Sequence, residues 1–290
     1  MNYLYRQKIR KKIKDKSKVY QTARTAMNIY SKFLGPFHVL PDFLIIGAPR
    51  SGTSSLYHYL TQHPSIFSCK IKEPNYFAMY YYKNTGWYKS FFPTIWEKNK
   101  HKQFVTGEAS TQYYWYPHVP KRVKKLLPDV KLILLMRNPT ERSFSQFQME
   151  VRHGHEKLSF EDAIKNEKVR TSEEYQKIIE NENYFSPKYT MYAYLEKSIY
   201  VNYVEEWLKL FPRENFLFLN SENFYENPQK VVNRIFEFLQ LPSVNVDTSK
   251  ILKKYTFQKI NPETRKQLSD YFKPFNERLY SLIGENFNWR

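Results

Sequence analysis

Apolar residues fall in short runs separated by longer amphipathic stretches. Phe43 to Gly47 (FLIIG) predicts a buried strand, and a helix follows from about Ser54 to Thr61, ended near His63-Pro64. Ile66-Phe67-Ser68 reads as a short second strand, and Gln103 to Gly107 as another. Between them, residues 73 to 100 are aromatic, irregular and loop-like. Pro120 to Leu127 is helical. Lys131 to Met136 (KLILLM) is a second strongly buried strand, and a helix runs over Thr140 to Val151 with Pro139 as its start signal. Phe160 to Leu210 is mostly helical, with a break near Ser186-Pro187. Asn215 to Leu219 (NFLFL) is a third buried strand. Asn227 to Leu239 opens on Pro228 and spaces Val231, Val232, Ile235, Phe236 and Leu239 on one helical face. A final helix starts at Pro262 and stops at Gly284.

Short apolar strands alternating with helices predict an α/β fold, a single domain with a central parallel sheet flanked by helices. Ligands of such sheets bind at the carboxyl ends of the strands. Three loops therefore matter most: those after Gly47, Met136 and Leu219. Gly35-Pro36 marks a boundary between a basic extension, residues 1–35, and the domain, residues 36–290.

A chain of 290 residues suffices for one large α/β domain. Net charge is +18 and the pI about 9.6. That balance favours anionic partners: nucleic acid, an acidic membrane, an acidic polysaccharide or a phosphorylated cofactor. A solvated basic surface in a chain rich in Lys, Asn, Tyr and Ile accounts for it equally well. The extension (MNYLYRQKIRKKIKDKSKVY) is either a solvated arm or a peripheral contact with an anionic membrane or polymer. It has no apolar core of a signal peptide, and no run spans a bilayer. With Cys69 as the single cysteine, no intramolecular disulfide forms. The expectation is a cytoplasmic protein.

The loop GAPRSGT after the first strand can wrap a phosphate with backbone N–H groups, with the next helix presenting its N-terminus to the anion. Gly47 and Gly52 have the spacing of a nucleotide triphosphatase loop, but Thr53 follows Gly52 directly, so the usual lysine is absent. Arg50 sits inside the loop instead. A triphosphatase also needs an acid after a second strand to hold Mg²⁺. Here KLILLM is followed by Arg137, which inverts the charge. Arg137 supplies a fixed fork for a second phosphate, and Ser145 a hydroxyl beside it. The competing readings are a purely structural turn and an Arg137–Glu141 ion pair. The pattern fits a nucleotide with two separated anionic groups and no metal, and disfavours a magnesium-dependent kinase.

GAPRSGT followed by RNPTERSFS resembles the sulfotransferases that use 3′-phosphoadenylyl sulfate (PAPS). Within them the chain is similar to the heparan sulfate 3-O-sulfotransferases and the sulfotransferase domain of heparan sulfate N-deacetylase/N-sulfotransferase. The resemblance covers Pro41 to Trp289 and includes KEPNYF at 72–77, GWYKSFFP at 86–93 and GEAS at 107–110. It implies a P-loop-like sulfotransferase domain at 36–290. It also implies that Arg50, Ser51, Gly52, Thr53 and Ser54 bind the 5′-phosphosulfate and that Arg137 and Ser145 bind the 3′-phosphate. Lys253 and Lys254 in ILKKYTFQK are the counterparts of a late basic loop that covers that phosphate.

The implied activity is in-line transfer of a sulfuryl group to a hydroxyl or amine. Arg50 stabilises charge on the leaving side and cannot act as a proton donor at neutral pH. Glu73 in KEPNYF matches the family's base, with Glu108 in GEAS as runner-up, either as base or as a group that orients substrate or holds structure. The seven histidines show no metal-like spacing, and His153 and His155 lie toward the acceptor side. Aromatic residues at 76–92 and 113–118 either stack on sugar rings or pack under long loops. A glycan acceptor follows from the first choice. Asn75 stands where the 3-O enzymes have a substrate-contacting histidine, and Ala109 where they have a lysine, so heparan sulfate itself does not follow. Two alternatives stay open: a small-molecule or lipid sulfotransferase, and a non-catalytic polyanion binder that retains the fold. No nucleic-acid partner is expected.

Overall fold

The computed structural model describes residue 31 and residues 33–249 and 259–289. Lys253, Lys254 and the first thirty residues of the basic extension lie outside these. The strands are β1 (Phe43–Gly47), β2 (Ile66–Ser68), β3 (Val105–Ala109), β4 (Lys131–Met136) and β5 (Phe216–Asn220). They form one sheet in the order β2-β3-β1-β4-β5, with every neighbouring pair parallel. The chain leaves β1 toward β2 and β3 on one side, and leaves β4 toward β5 on the other. The sheet therefore opens a crevice at the carboxyl ends of β1 and β4, the topological switch point where α/β sheets bind ligands.

Side-chain alternation divides the core. Leu44, Ile46, Leu132, Leu134, Met136, Phe216 and Phe218 face one layer. Phe43, Ile45, Ile133, Leu135 and Leu219 face the other. Helices α1 (Thr53–Leu60) and α12 (Pro228–Phe238) cover the second face through Leu56, Leu60, Val231, Val232, Ile235 and Phe236. The larger first layer collects α5 (Val119–Leu126), α6 (Pro139–Arg152), α7 (Phe160–Lys165), α8 (Glu167–Glu180), α9 (Pro187–Tyr192), α10 (Tyr200–Leu208) and α13 (Pro262–Ile283). The helix α11 (Ser221–Glu226) follows β5 directly. Within the described residues no helix is long and apolar enough to cross a membrane.

Two readings of the hydrophobic pattern are corrected. Residues 73–100 are not an irregular loop but carry three short helices, α2 (Tyr76–Met79), α3 (Thr85–Lys89) and α4 (Ile95–Asn99). They are too short for a 3.6-residue period to show, and their caps set them: Asn84 accepts from Trp87 N at 2.8 Å, and Thr94 with Glu97 forms a capping box. The third strand runs two residues later than expected, to Ala109. It contains Glu108, which is fully buried, and a hydropathy pattern reads a glutamate as solvent-exposed. Gly107 permits this strand to lie against β1. A Cβ there would stand 2.5 Å from the Phe43 ring and carbonyl.

Packing also continues into the extension. Ser31 is buried, and its carbonyl sits where a Cβ on Gly86 would be, 2.4 Å away.

Gly107→Ala forces a backbone–backbone collision in the middle of the sheet, so it should destabilise the domain by about 1–3 kcal/mol. Urea unfolding of the variant beside the parent measures this. An unchanged midpoint would show that β3 and β1 can move apart freely.

Candidate active site

The loop from Ala48 to Gly52 leaves β1 and enters α1. Gly52 caps this helix with φ 101, a left-handed value that glycine adopts without strain, and a Cβ there would stand 2.7 Å from the Tyr225 hydroxyl. No side chain caps the helix, and its first turn has no acidic residue. Its first N–H groups are therefore open to an anion, and the end of the helix macrodipole adds positive potential. Arg50 is also left-handed, φ 74, a conformation that costs energy in a non-glycine residue and persists only where the surroundings impose it. That turn aims its guanidinium across the crevice, where Nε donates to Ser145 Oγ at 3.1 Å and Nη1 approaches Met149 Sδ at 3.5 Å. The Ser51 hydroxyl is buried beside the Tyr200 phenol without a well-formed hydrogen bond, while its carbonyl accepts from Ser221 Oγ at 2.6 Å.

Across the crevice, Arg137 follows β4. Tyr200 fixes its backbone, donating to the Arg137 carbonyl at 2.9 Å and accepting from its N–H at 3.3 Å. Asn138 caps α6 by accepting from Thr140 N at 3.0 Å. The Arg137 side chain donates to the Arg50 carbonyl at 3.4 Å and pairs with Glu141 at 3.8 Å. The ion pair weighed at the sequence level therefore exists, but it is one link in a chain: Glu141 also pairs with Arg265. Arg137, Ser145, Lys259 and Arg265 line one cavity of about 200 Å³ together with Glu141. Lys259 and Arg265 were not singled out by sequence reasoning. They lie just before and inside the first turn of α13, and only the packing of that helix brings them to the cavity. A larger recess, about 440 Å³, lies where β1 and β4 begin and is lined by Asp42, Asp129 and Lys131, without a cluster of cations.

The KEPNYF turn enters from the other side. Lys72 donates to Ser54 Oγ and pairs with Glu73 at 3.6 Å, which ties this turn to the start of α1. Lys72 is a third residue of the site that the sequence reading did not assign to it. Glu73 and Asn75 are both left-handed, φ 56 and 49. The strained turn is held from beneath: Asn75 N donates to Ser110 Oγ at 3.0 Å, and Ser110 Oγ donates to Glu108 at 2.6 Å. Tyr88 donates to the other Glu108 oxygen at 3.1 Å. Burial pushes the Glu108 carboxyl up to about 7 despite these donors. Glu108 is thus a positioning residue under the turn, and Glu73, part-exposed, is the carboxylate that faces outward.

Most of the flagged aromatics form core. Tyr76, Phe77, Tyr88, Phe91, Phe92 and Tyr113–Tyr116 are buried. Tyr80, Tyr81, Tyr82 and Trp87 keep some exposed surface. The histidine reading is also revised, because His153, His155 and Glu150 place their ligand atoms within 4.8 Å of one another.

A model of the sulfotransferase domain matches residues 40–278. The chain belongs to this sulfotransferase family. Membrane-associated sulfotransferase kil1 of Dictyostelium discoideum is 26% identical over 99% of this chain and 72% of its own length. Human heparan sulfate glucosamine 3-O-sulfotransferase 6 is 25% identical over 86% of this chain and 73% of its own. A solved sulfotransferase from Alicyclobacillus acidocaldarius superposes with a TM-score of 0.66 at 28% identity, covering 86% of this chain and 98% of that one. The sulfotransferase described here is an enzyme that brings the uncapped start of α1, Arg50, Arg137 and the Glu73 turn to one crevice.

Glu108 gives the enzyme a pH signature. The folded state holds the extra proton between the ordinary value of 4.5 and about 7. The stabilisation is fully present below about pH 4.5 and is lost as pH rises through 7. Glu167, pushed up by burial to about 7, acts in the same direction. Glu108→Gln should therefore flatten part of the fall in unfolding free energy between pH 5 and 7.5. A slope identical to the parent's would mean that Glu108 is already ionised in the fold.

Proposed function

We propose that this sulfotransferase takes its sulfuryl group from PAPS and passes it to a hydroxyl or amine of a glycan. The observation that supports this most is the pair of anion-binding sets on opposite sides of one crevice. One is the uncapped start of α1 with Arg50 and the Lys72–Ser54 pair. The other is Arg137, Ser145, Lys259 and Arg265 around one cavity. A 3′,5′-substituted adenosine nucleotide carries two anionic groups, one for each set. The buried Ser51 hydroxyl and the open N–H groups of α1 fit the 5′ group. Lys253 and Lys254 remain part of the proposal as late basic residues over the 3′-phosphate.

When bound, the donor supplies a sulfuryl group carried on a phosphate leaving group. The N–H groups of Gly52, Thr53 and Ser54 bind that phosphate, and Ser51 adds its hydroxyl. Arg50 and Lys72 keep positive charge where negative charge grows on the bridging oxygen as the S–O bond breaks. Glu73 accepts the proton that the attacking hydroxyl or amine releases as the new bond to sulfur forms. Lys72 beside it holds the carboxylate in place at 3.6 Å. Glu108, through Ser110 and Asn75 N, keeps the turn at the height this geometry needs. Resemblance to glycan sulfotransferases and the part-exposed Tyr80, Tyr81, Tyr82 and Trp87 support a sugar acceptor.

Calorimetry with adenosine 3′,5′-bisphosphate in the absence of magnesium tests the donor site. The bisphosphate should bind and ADP should bind far more weakly. Arg137→Ala should lose about 1.5–3 kcal/mol of that affinity, the worth of a charge-assisted contact. Glu73→Gln should keep the affinity and lose turnover by at least about 100-fold. Preference for ADP with magnesium would point to phosphoryl transfer instead. Full turnover in Glu73→Gln would remove it as the base.

A further inference from the structure

The end of α6 carries a feature that sulfuryl transfer does not use. The helix closes in a Schellman turn: His155 N donates to the Glu150 carbonyl at 3.0 Å and Gly154 N to the Val151 carbonyl at 3.0 Å. Gly154 has φ 77 and nothing within 4 Å of a Cβ, so it is required for its backbone angle and not for space. In most such turns the residues that meet, at the positions of Glu150 and His155, are apolar. Here they are a carboxylate and an imidazole, with Glu150 Oε2 and His155 Nδ1 2.8 Å apart. His153, the residue that caps the helix, brings its ring to 5.7 Å from that of His155. Tyr192 pins the backbone by donating to the His155 carbonyl at 3.0 Å.

We propose that Glu150, His153 and His155 form a binding site for a divalent transition-metal cation of the zinc, nickel or copper class. Two imidazoles and one carboxylate are the ligand types such ions select. The three ligand atoms lie within 4.8 Å of one another, so rotamer adjustments bring them to the ~2 Å bonds these ions form. Glu150 is 5% exposed, so its carboxylate is held in one place, while the histidines open to solvent and give the ion its entry path. The carbonyls of the last helical turn add negative potential. Three protein ligands leave at least one coordination position free, facing outward. The site belongs to the same helix as Ser145, and Met149, next to Glu150, touches Arg50. It is independent of the donor assignment and requires no change in it.

Titration of tag-free full-length protein with zinc chloride, and separately with nickel chloride, tests this by calorimetry. One equivalent should bind with Kd below about 10 µM. His155→Ala and Glu150→Gln should each weaken binding by at least about tenfold, and His153→Asn/His155→Gln should abolish it. The two histidines are exposed, so the double variant should fold. Unchanged circular dichroism and unchanged affinity for adenosine 3′,5′-bisphosphate would verify that. Absence of saturable binding by the parent, or an equal stoichiometry in the double variant, would overturn the proposal.

Discussion

Like charges brought together repel, and the fold around the β1–β4 crevice is arranged to hold cations that would otherwise drift apart. Arg50, Arg137 and Arg265 converge there with a helix end that adds positive potential of its own. None of these groups stands by backbone preference alone. Arg50 occupies a strained turn and rests on Ser145. Arg137 is clamped front and back by one tyrosine hydroxyl. Glu141 lies between Arg137 and Arg265 and neutralises part of the field. The arrangement concentrates positive potential at the crevice. The stored repulsion falls when negative groups arrive, so the binding energy comes partly from the protein's own charges.

The same principle of support from beneath governs the carboxylate side. The turn at Glu73 needs two departures from ordinary backbone angles, at Glu73 and Asn75, with Pro74 between them. A buried acid, Glu108, holds it through a serine hydroxyl and one amide. An acid at the centre of an aromatic layer is costly to ionise, and its raised value records that cost. The two glutamates are therefore set apart by burial, one part-exposed at the crevice and one enclosed beneath it.

What was legible in the sequence follows from this. The buried strands were plain because KLILLM and FLIIG are apolar on both faces, as parallel strands must be. The loops after β1 and β4 stood out because glycine spacing and a basic residue after a strand are local signals. The third strand was misplaced because a buried glutamate looks polar. The three short helices of 76–99 were missed because capping, and not periodicity, defines them. Lys259 and Arg265 enter the site only through tertiary placement, as does the contact of Lys72 with Ser54, and no spacing within one segment encodes these. Burial decides which aromatics are core, and nothing in YYWY at 113–116 distinguishes those side chains from a sugar-binding platform.

The crevice joins segments that are remote along the chain. The Arg137–Arg50 contact spans 87 residues and the Ser221–Ser51 contact 170. Such contacts close large loops, and their entropy must be met before they return any stability. A growing chain that has made β1, β3 and β4 still lacks β5, the serine behind Ser51 and the arginine at the start of α13. The binding site is therefore complete only when the domain is complete. Mass action then runs through the whole fold: a ligand at 100 times its Kd adds about 2.7 kcal/mol to the stability of the entire unit, not of one loop. In this arrangement, any ligand that fills the crevice is also a determinant of how much of the protein stays folded.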